Sequence, residues 1–361
     1  MTIQENVPLA PLTTLQVGGS ARYFAELRRE DDVWEAAQFA KTRKVPLFVL
    51  GGGSNLVVAD SGWPGLVLRI AIGGITSPST SNPATNDVPG NAVLFTVGAG
   101  VNWDDFVAQA VVQNCAGVEC LSGIPGSVGG TPVQNVGAYG QEVADTIESV
   151  RALDLKDDRI VVLPKPACGF RYRTSIFNTT ERGRYIILRV NFGLKRGGAP
   201  SLKYADLQRH FAERSVEKKL PPSLAETREA VREIRRSKGM LLVPGDDDCR
   251  SAGSFFKNPV LSEAQFKDLA ERAESKGLEI PSYPALEAQR KVSAAWLVEH
   301  SGFSKGYELG AAGISHKHAL ALINRGDAKA SDIVGLKDEI RHGVQEVWGI
   351  LLEPEPVFLG F

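Results

Sequence analysis

The chain has 361 residues, 43% hydrophobic and 23% charged, and its 41 basic and 42 acidic side chains leave a net charge of −1. That length exceeds one ordinary core and favours two or three domains. The balanced charge lacks the basic footprint of a nucleic-acid binder, and no apolar run is long enough to span a bilayer. The first residues, MTIQENVPLAPLTT, lack the basic-then-apolar layout of a signal peptide. Cys115, Cys120, Cys168 and Cys249 form no CxxC pair and have no histidine at zinc spacing. The expectation is a cytoplasmic protein with reduced thiols, no metal and no membrane or nucleic-acid partner.

In chain order, residues 13–26 alternate apolar and polar side chains around Gly18-Gly19 and predict a strand with a tight bend. Residues 31–43 place Val33, Ala36, Ala37 and Ala40 on one helical face, with Asp31 and Asp32 near the positive end of the dipole. The apolar run 45–50 reads as a buried strand and ends in Gly51-Gly52-Gly53-Ser54-Asn55-Leu56. Helix, strand and glycine turn suggest a small α/β unit with its ligand beyond the strand's carboxyl end. By itself GGGSN is a flexible turn, without the Lys-Ser/Thr ending of a P-loop or the spacing of a dinucleotide fingerprint. Residues 76–91, polar and rich in proline, predict an exposed loop. Residues 94–97 predict a strand, and Asn102 with Asp105 caps a helix that buries Phe106, Val107 and Ala110.

That helix leads into LSGIPGSVGGTPVQNVGAYGQE, residues 121–142, where six glycines are stiffened by Pro125 and Pro132. Glycines let backbone amides turn toward an anion at close range, although a set of tight turns explains the run equally well. Residues 147–195 predict strands, with a hairpin turn at 156–158. Within them Phe170-Arg171-Tyr172-Arg173-Thr174-Ser175-Ile176-Phe177 fits either arginine stems packed on rings or a guanidinium presented to a carboxylate or phosphate. Residues 221–238 predict a helix with a Ser223/Glu226 capping box and a basic end, followed by a composition shift that suggests a boundary. The final third predicts helices from Ser262 to about 276, from Ser293, and over 331–347. His316 and His318, two apart, suit a strand better than a helical metal pair and read as surface or packing histidines. Residues 351–358, LLEPEPVF, predict an extended strand with Glu353 and Glu355 on the same face.

GGGSNL, GIPGSVGGTPVQNVGAYGQE, YRTSIF, SAGSFFKNP and LEPE, in that order, closely resemble the UDP-N-acetylenolpyruvoylglucosamine reductase family from about Thr13 to Gly360. The resemblance implies an α+β / α/β chain in three parts. Residues 1–71 and 72–238, the latter joined by 346–361, would form a two-part FAD-binding fold of the vanillyl-alcohol-oxidase type. Residues 239–345 would form a C-terminal α/β substrate-binding domain. It implies NADPH-dependent, FAD-mediated reduction of UDP-N-acetylglucosamine-enolpyruvate in peptidoglycan precursor synthesis; a monomer is the separate expectation for its assembly.

FAD would be held by Gly51, Gly52, Gly53, Ser54 and Asn55, and by Ile124, Pro125, Gly126, Ser127, Gly129, Gly130, Gly137 and Ala138. Tyr172, Tyr204, Lys238 and Asn258 would bind substrate, with Tyr204 on the substrate-covering loop of the longer subtype and Arg235 or Arg236 as substitutes for Lys238 at the diphosphate. Asp246-Asp247-Asp248 would repel that diphosphate if they faced it, and Pro356 departs from the family's usual residue. Arg173, Ser254 and Glu355 align with the catalytic set. A fixed guanidinium suits charge developing on the substrate carboxylate, a hydroxyl suits protonation of the adjacent carbon, and a glutamate kept neutral by burial suits stabilisation of the enol. The rivals are an FAD oxidase of the same superfamily and a flavin-free UDP-sugar-binding or hydrolytic protein with Ser254 as nucleophile. The latter lacks a GxSxG elbow and a histidine in a partner motif.

Overall fold

A computed structural model describes residues 1–77, 92–214, 221–285 and 289–361. Most of the loop expected at 76–91 lies outside the described residues. The chain divides into two compact units: Met1–Val7, Ala21–Gly53 and Pro64–Leu241 in the first, and Pro8–Ser20, Ser54–Trp63 and Leu242–Phe361 in the second.

Among the described residues the first unit carries two large sheets and a two-stranded ladder of Gly137–Ala138 with Gln141–Glu142. One has four strands in the order Gln4–Pro8, Ser20–Leu27, Trp63–Ile70 and Leu47–Leu50, the last two parallel. Helix α1 (Glu30–Arg43) precedes Leu47–Leu50 and buries Val33, Ala36, Ala37 and Ala40, the face its spacing predicts. The larger sheet is antiparallel, in the order Arg159–Pro164, Ile147–Asp154, Tyr185–Arg196, Ala92–Gly98 and Ile75–Thr76, with Cys115–Ala116 also on Tyr185–Arg196. Helix α2 (Trp103–Val112) starts where Asn102 accepts the Asp105 N–H, as its sequence indicates. It buries Trp103 and Phe106 against Phe95 and Phe192 in an aromatic knot with ring centroids 4.8–5.9 Å apart. Helices α3 (Ala205–Arg214) and α4 (Leu224–Ser237) complete the unit, and the Ser223/Glu226 capping box is present.

The second unit has a four-stranded antiparallel sheet in the order Ser251–Ser254, Ala321–Asn324, Ala312–Ile314 and Glu308–Leu309. Helices α5 (Glu263–Glu274), α6 (Ala294–Glu299) and α7 (Ala330–Trp348) accompany it, the first capped by the Ser262/Gln265 box. Ile333, Leu336, Ile340, Val344 and Trp348 line the buried stripe of α7 at intervals of three and four residues.

Two expected strands are corrected. Residues 13–19 form no strand; the strand starts at Ser20. A Cβ on Gly18 would meet Val58 O at 2.5 Å, and one on Gly19 would meet Asp60 O at 2.4 Å. These glycines therefore serve a close backbone approach to residues 58–62, not a bent ladder. The terminal strand is only Val357–Leu359, parallel to Leu56–Val58. Residues 351–356 precede it irregularly, with a single bridge from Pro354 to Phe256.

Candidate active site

In the first unit the glycine-rich run is stitched to the start of α2. Trp103 N–H donates to Gly126 O at 3.1 Å, Val128 N–H to Val101 O at 2.9 Å, and Gly129 N–H to Ala99 O at 2.8 Å. The buried Trp103 indole donates to Leu121 O at 2.9 Å. Asp104 accepts the Gly123 N–H at 2.6 Å and also the guanidinium groups of Arg228 and Arg232 on α4. Burial raises the Asp104 pKa, but Arg228, Gly123 and Arg232 outweigh it and hold the carboxyl below its ordinary value. The buried Arg235 donates to Gly123 O at 3.1 Å and to Met240 O at 2.5 Å.

The two glycine runs meet. A Cβ on Gly52 would fall 2.4 Å from Gly126 Cα, and one on Gly51 would fall 3.0 Å from Ser127 Oγ. Gly53 and Gly126 have φ of +66° and +132°, which glycine alone adopts freely. The result is bare backbone from two loops side by side, which suits the diphosphate and ring edge of a dinucleotide. FAD fits these residues. The GGGSN run leaves the first unit after Gly53, so Ser54 and Asn55 belong to the second.

Arg173 is tied to the far end of the glycine-rich run, at Gly137. Residues 171–174 close a tight turn, with Arg171 and Thr174 exchanging backbone hydrogen bonds at 3.0 and 3.1 Å. Arg173 takes φ +55°, a conformation kept only where surroundings over-determine it. Its guanidinium donates to Gly137 O at 2.8 Å and approaches the Tyr172 ring at 5.4 Å. The aromatic–arginine stretch is thus a turn followed by a short 3-10 helix at Ile176–Asn178, not a sheet surface. Tyr204, exposed, packs edge-on against the buried Tyr139 with centroids 5.3 Å apart. Lys238 bonds Asp206 at 2.5 Å.

In the second unit Ser254 ends its strand at a bulge, after Gly253 at φ +75°. Such a bulge re-aims a side chain. Ser254 Oγ lies 3.3 Å from His318 Nε2. His318 is half-buried and so packs against Ser254, while His316 is exposed; the contact places a histidine beside Ser254 that no sequence motif marks. No periodic signal could have found it, because 315–320 is a turn between two strands. Asn258 Oδ1 accepts the Ala294 N–H at the start of α6 at 2.9 Å, so its NH2 is the end with donors to offer a ligand.

The two glutamates of LEPE part company. Glu353 is 69% exposed and pairs with Lys257 at 2.5 Å. Glu355 is half-buried; its N–H donates to Phe255 O at 2.9 Å, and its carbonyl accepts from Asn55 Nδ2 at 3.3 Å. The irregular backbone removes the strict alternation expected of them. The acidic run is also paired: Asp246 with Lys317 at 2.5 Å, and Asp247 with Arg250 at 2.9 Å.

Among the described residues, no helix is long and apolar enough to cross a membrane.

Residues 21–163 match the FAD binding domain family, and residues 244–359 match the family described as UDP-N-acetylenolpyruvoylglucosamine reductase, C-terminal domain. The chain is 46% identical to the UDP-N-acetylenolpyruvoylglucosamine reductase of Thermobifida fusca, over 98% of this chain and 97% of that one. It is 43% identical to that of Streptomyces avermitilis, over 98% and 94%. The crystal structure of the enzyme (MurB) from Thermus caldophilus superposes with a TM-score of 0.64 at 26% identity, covering 99% of this chain and 100% of the other. With its FAD-binding and C-terminal domains in one polypeptide, this chain belongs to the UDP-N-acetylenolpyruvoylglucosamine reductase family.

Proposed function

We propose that this protein reduces UDP-N-acetylglucosamine-enolpyruvate to UDP-N-acetylmuramate, using FAD and NADPH, as a cytoplasmic monomer supplying peptidoglycan precursor. In this reading residues 1–71 and 72–238 hold FAD, and residues 239–345 bind the UDP-sugar. The observation that carries it is Ser254: a half-buried hydroxyl at a strand bulge, with a ring nitrogen beside it, in a chain of this family.

When bound, FAD supplies the two-electron relay from NADPH to the methylene end of the enolpyruvyl double bond. Gly51, Gly52, Gly53, Ser54 and Asn55, with Ile124, Pro125, Gly126, Ser127, Gly129, Gly130, Gly137 and Ala138, would hold it through backbone. Reduction at the methylene leaves negative charge on the neighbouring carbon and its carboxylate. Arg173 meets that charge with a guanidinium that cannot deprotonate and is already oriented by Gly137 O. Ser254 Oγ–H gives its proton to the carbon, with His318 donating an Nε2–H to Oγ to orient the hydroxyl and steady the resulting alkoxide, which water reprotonates. Glu355 is assigned to stabilise the enol form in preference to Glu353, which is exposed and paired with Lys257. Lys238 meets the diphosphate by exchanging Asp206 for phosphate, whereas Arg235 is committed to Gly123 O and Met240 O. Tyr172, Tyr204 and Asn258 complete the substrate contacts.

The Ser254–His318 contact also fits a hydrolytic serine, the one specific observation favouring a second reading. One anaerobic experiment separates them. Purified protein should be yellow, lose its flavin absorbance on one equivalent of NADPH, and regain it on adding the enolpyruvyl substrate. A colourless protein that releases product from a UDP-sugar by hydrolysis would establish the second reading instead.

A further inference from the structure

We propose that Lys317, gripped by Asp246 and Asp248, is a positioning residue that holds the 315–320 turn so that His318 reaches Ser254. The acidic run that sequence alone presents as an obstacle to phosphate thus serves the proton-delivering hydroxyl.

Lys317 Nζ lies 2.5 Å from Asp246 Oδ2 and 3.7 Å from Asp248 Oδ2. Asp248, 7% exposed, also accepts the His316 N–H at 3.0 Å, and Asp246 Oδ1 accepts the Asp248 N–H at 3.1 Å. The two residues immediately before His318 are therefore held, one by backbone and one by side chain. Ser315 Oγ accepts the Lys317 N–H at 3.0 Å, and Ser315 N–H to Ala321 O and Ala321 N–H to His318 O close the base of the turn at 2.9 and 3.1 Å. Arg250 binds Asp247 at 2.9 Å and Asn324 O at 2.9 Å, fastening the acidic run to the strand that follows the turn. Lys317 is the shared cation: the ion pair lowers the Asp246 pKa and raises that of Lys317. At 3.3 Å the His318–Ser254 contact is at the long end of a hydrogen bond. A displacement of about 1 Å breaks it, and misplacements of that size cost up to ~10²-fold in rate.

The proposal rests on Ser254 as proton donor, and the wild-type anaerobic cycle, run alongside, tests that separately. In the FAD-loaded Lys317→Met enzyme, NADPH should bleach the flavin within about twofold of the wild-type rate, while reoxidation by the enolpyruvyl substrate should slow about tenfold, a loss of ~1.4 kcal/mol. Lys317→Arg should restore most of it. Lys317→Met added to His318→Ala should slow reoxidation no further, and the His318 imidazole nitrogen resonances of flavin-free Lys317→Met protein should shift. Should Lys317→Met not fold, Asp246→Asn, which removes one grip only, takes its place with the same expectations. Unchanged reoxidation, equal slowing of both half-reactions, additivity with His318→Ala, or unmoved imidazole resonances would each overturn the proposal.

Discussion

Ser254 Oγ and His318 Nε2, 64 residues apart in sequence, lie 3.3 Å from each other at the end of one sheet. A hydroxyl rotates freely, so a ring N–H donated to its oxygen leaves the hydroxyl proton directed toward substrate. His318→Ala should slow substrate-driven flavin reoxidation about tenfold and leave reduction by NADPH unchanged, measured by stopped-flow absorbance. Equal slowing of both steps would remove His318 from this role.

The meeting of Gly52 and Gly126 predicts a cofactor phenotype. A methyl at Gly52 would sit 2.4 Å from Gly126 Cα, and backbone cannot yield as a side chain end can. Gly52→Ala should weaken FAD binding about tenfold or more, equivalent to ~1.4 kcal/mol, by fluorescence titration of flavin-free protein. Gly73→Ala, with nothing within 4 Å of the added carbon, is the control and should bind normally.

Asp104 predicts an acid response. Its folded pKa is below the ordinary carboxylate value. Its contribution to stability is therefore complete above the unfolded pKa, about 3.9, and is lost as pH falls through the folded value. Asp104→Asn should lower stability by roughly 1–3 kcal/mol at neutral pH, because Arg228 and Arg232 lose a charged partner. The deficit should shrink on acidification. A deficit independent of pH between 6 and about 2 would contradict the assignment.

Glu353 and Glu355 are a matched pair of tests. Glu353→Gln removes an exposed ion pair, worth about 0–1 kcal/mol, and should leave kcat within twofold. Glu355→Gln should lower kcat by about 10²-fold with little change in melting temperature, if steady-state NADPH consumption is followed. Reversed effects would exchange the roles.

The sequence was most legible where local rules suffice. The caps at Asn102, Ser223 and Ser262, and the buried faces of α1 and α2, follow from short-range chemistry and are present as expected. Contacts remote in sequence were hidden. Gly18 and Gly19 look like a bend but are small because residues 58–62 pass over them. Glu353 is distinguished from Glu355 by Lys257, almost a hundred residues away, and Asp246 is neutralised by Lys317. His318 carried no pattern at all, since its place depends on a turn. The family motifs indicated the glycine runs one by one; that Gly52 and Gly126 touch is a tertiary fact.

The most direct test of the central claim uses Ser254→Ala with FAD bound, under anaerobic conditions. NADPH should bleach the flavin at the wild-type rate, and reoxidation by UDP-N-acetylglucosamine-enolpyruvate should slow by at least about 10³-fold, in the upper range for losing a positioned proton donor. Reoxidation at the wild-type rate would contradict the account.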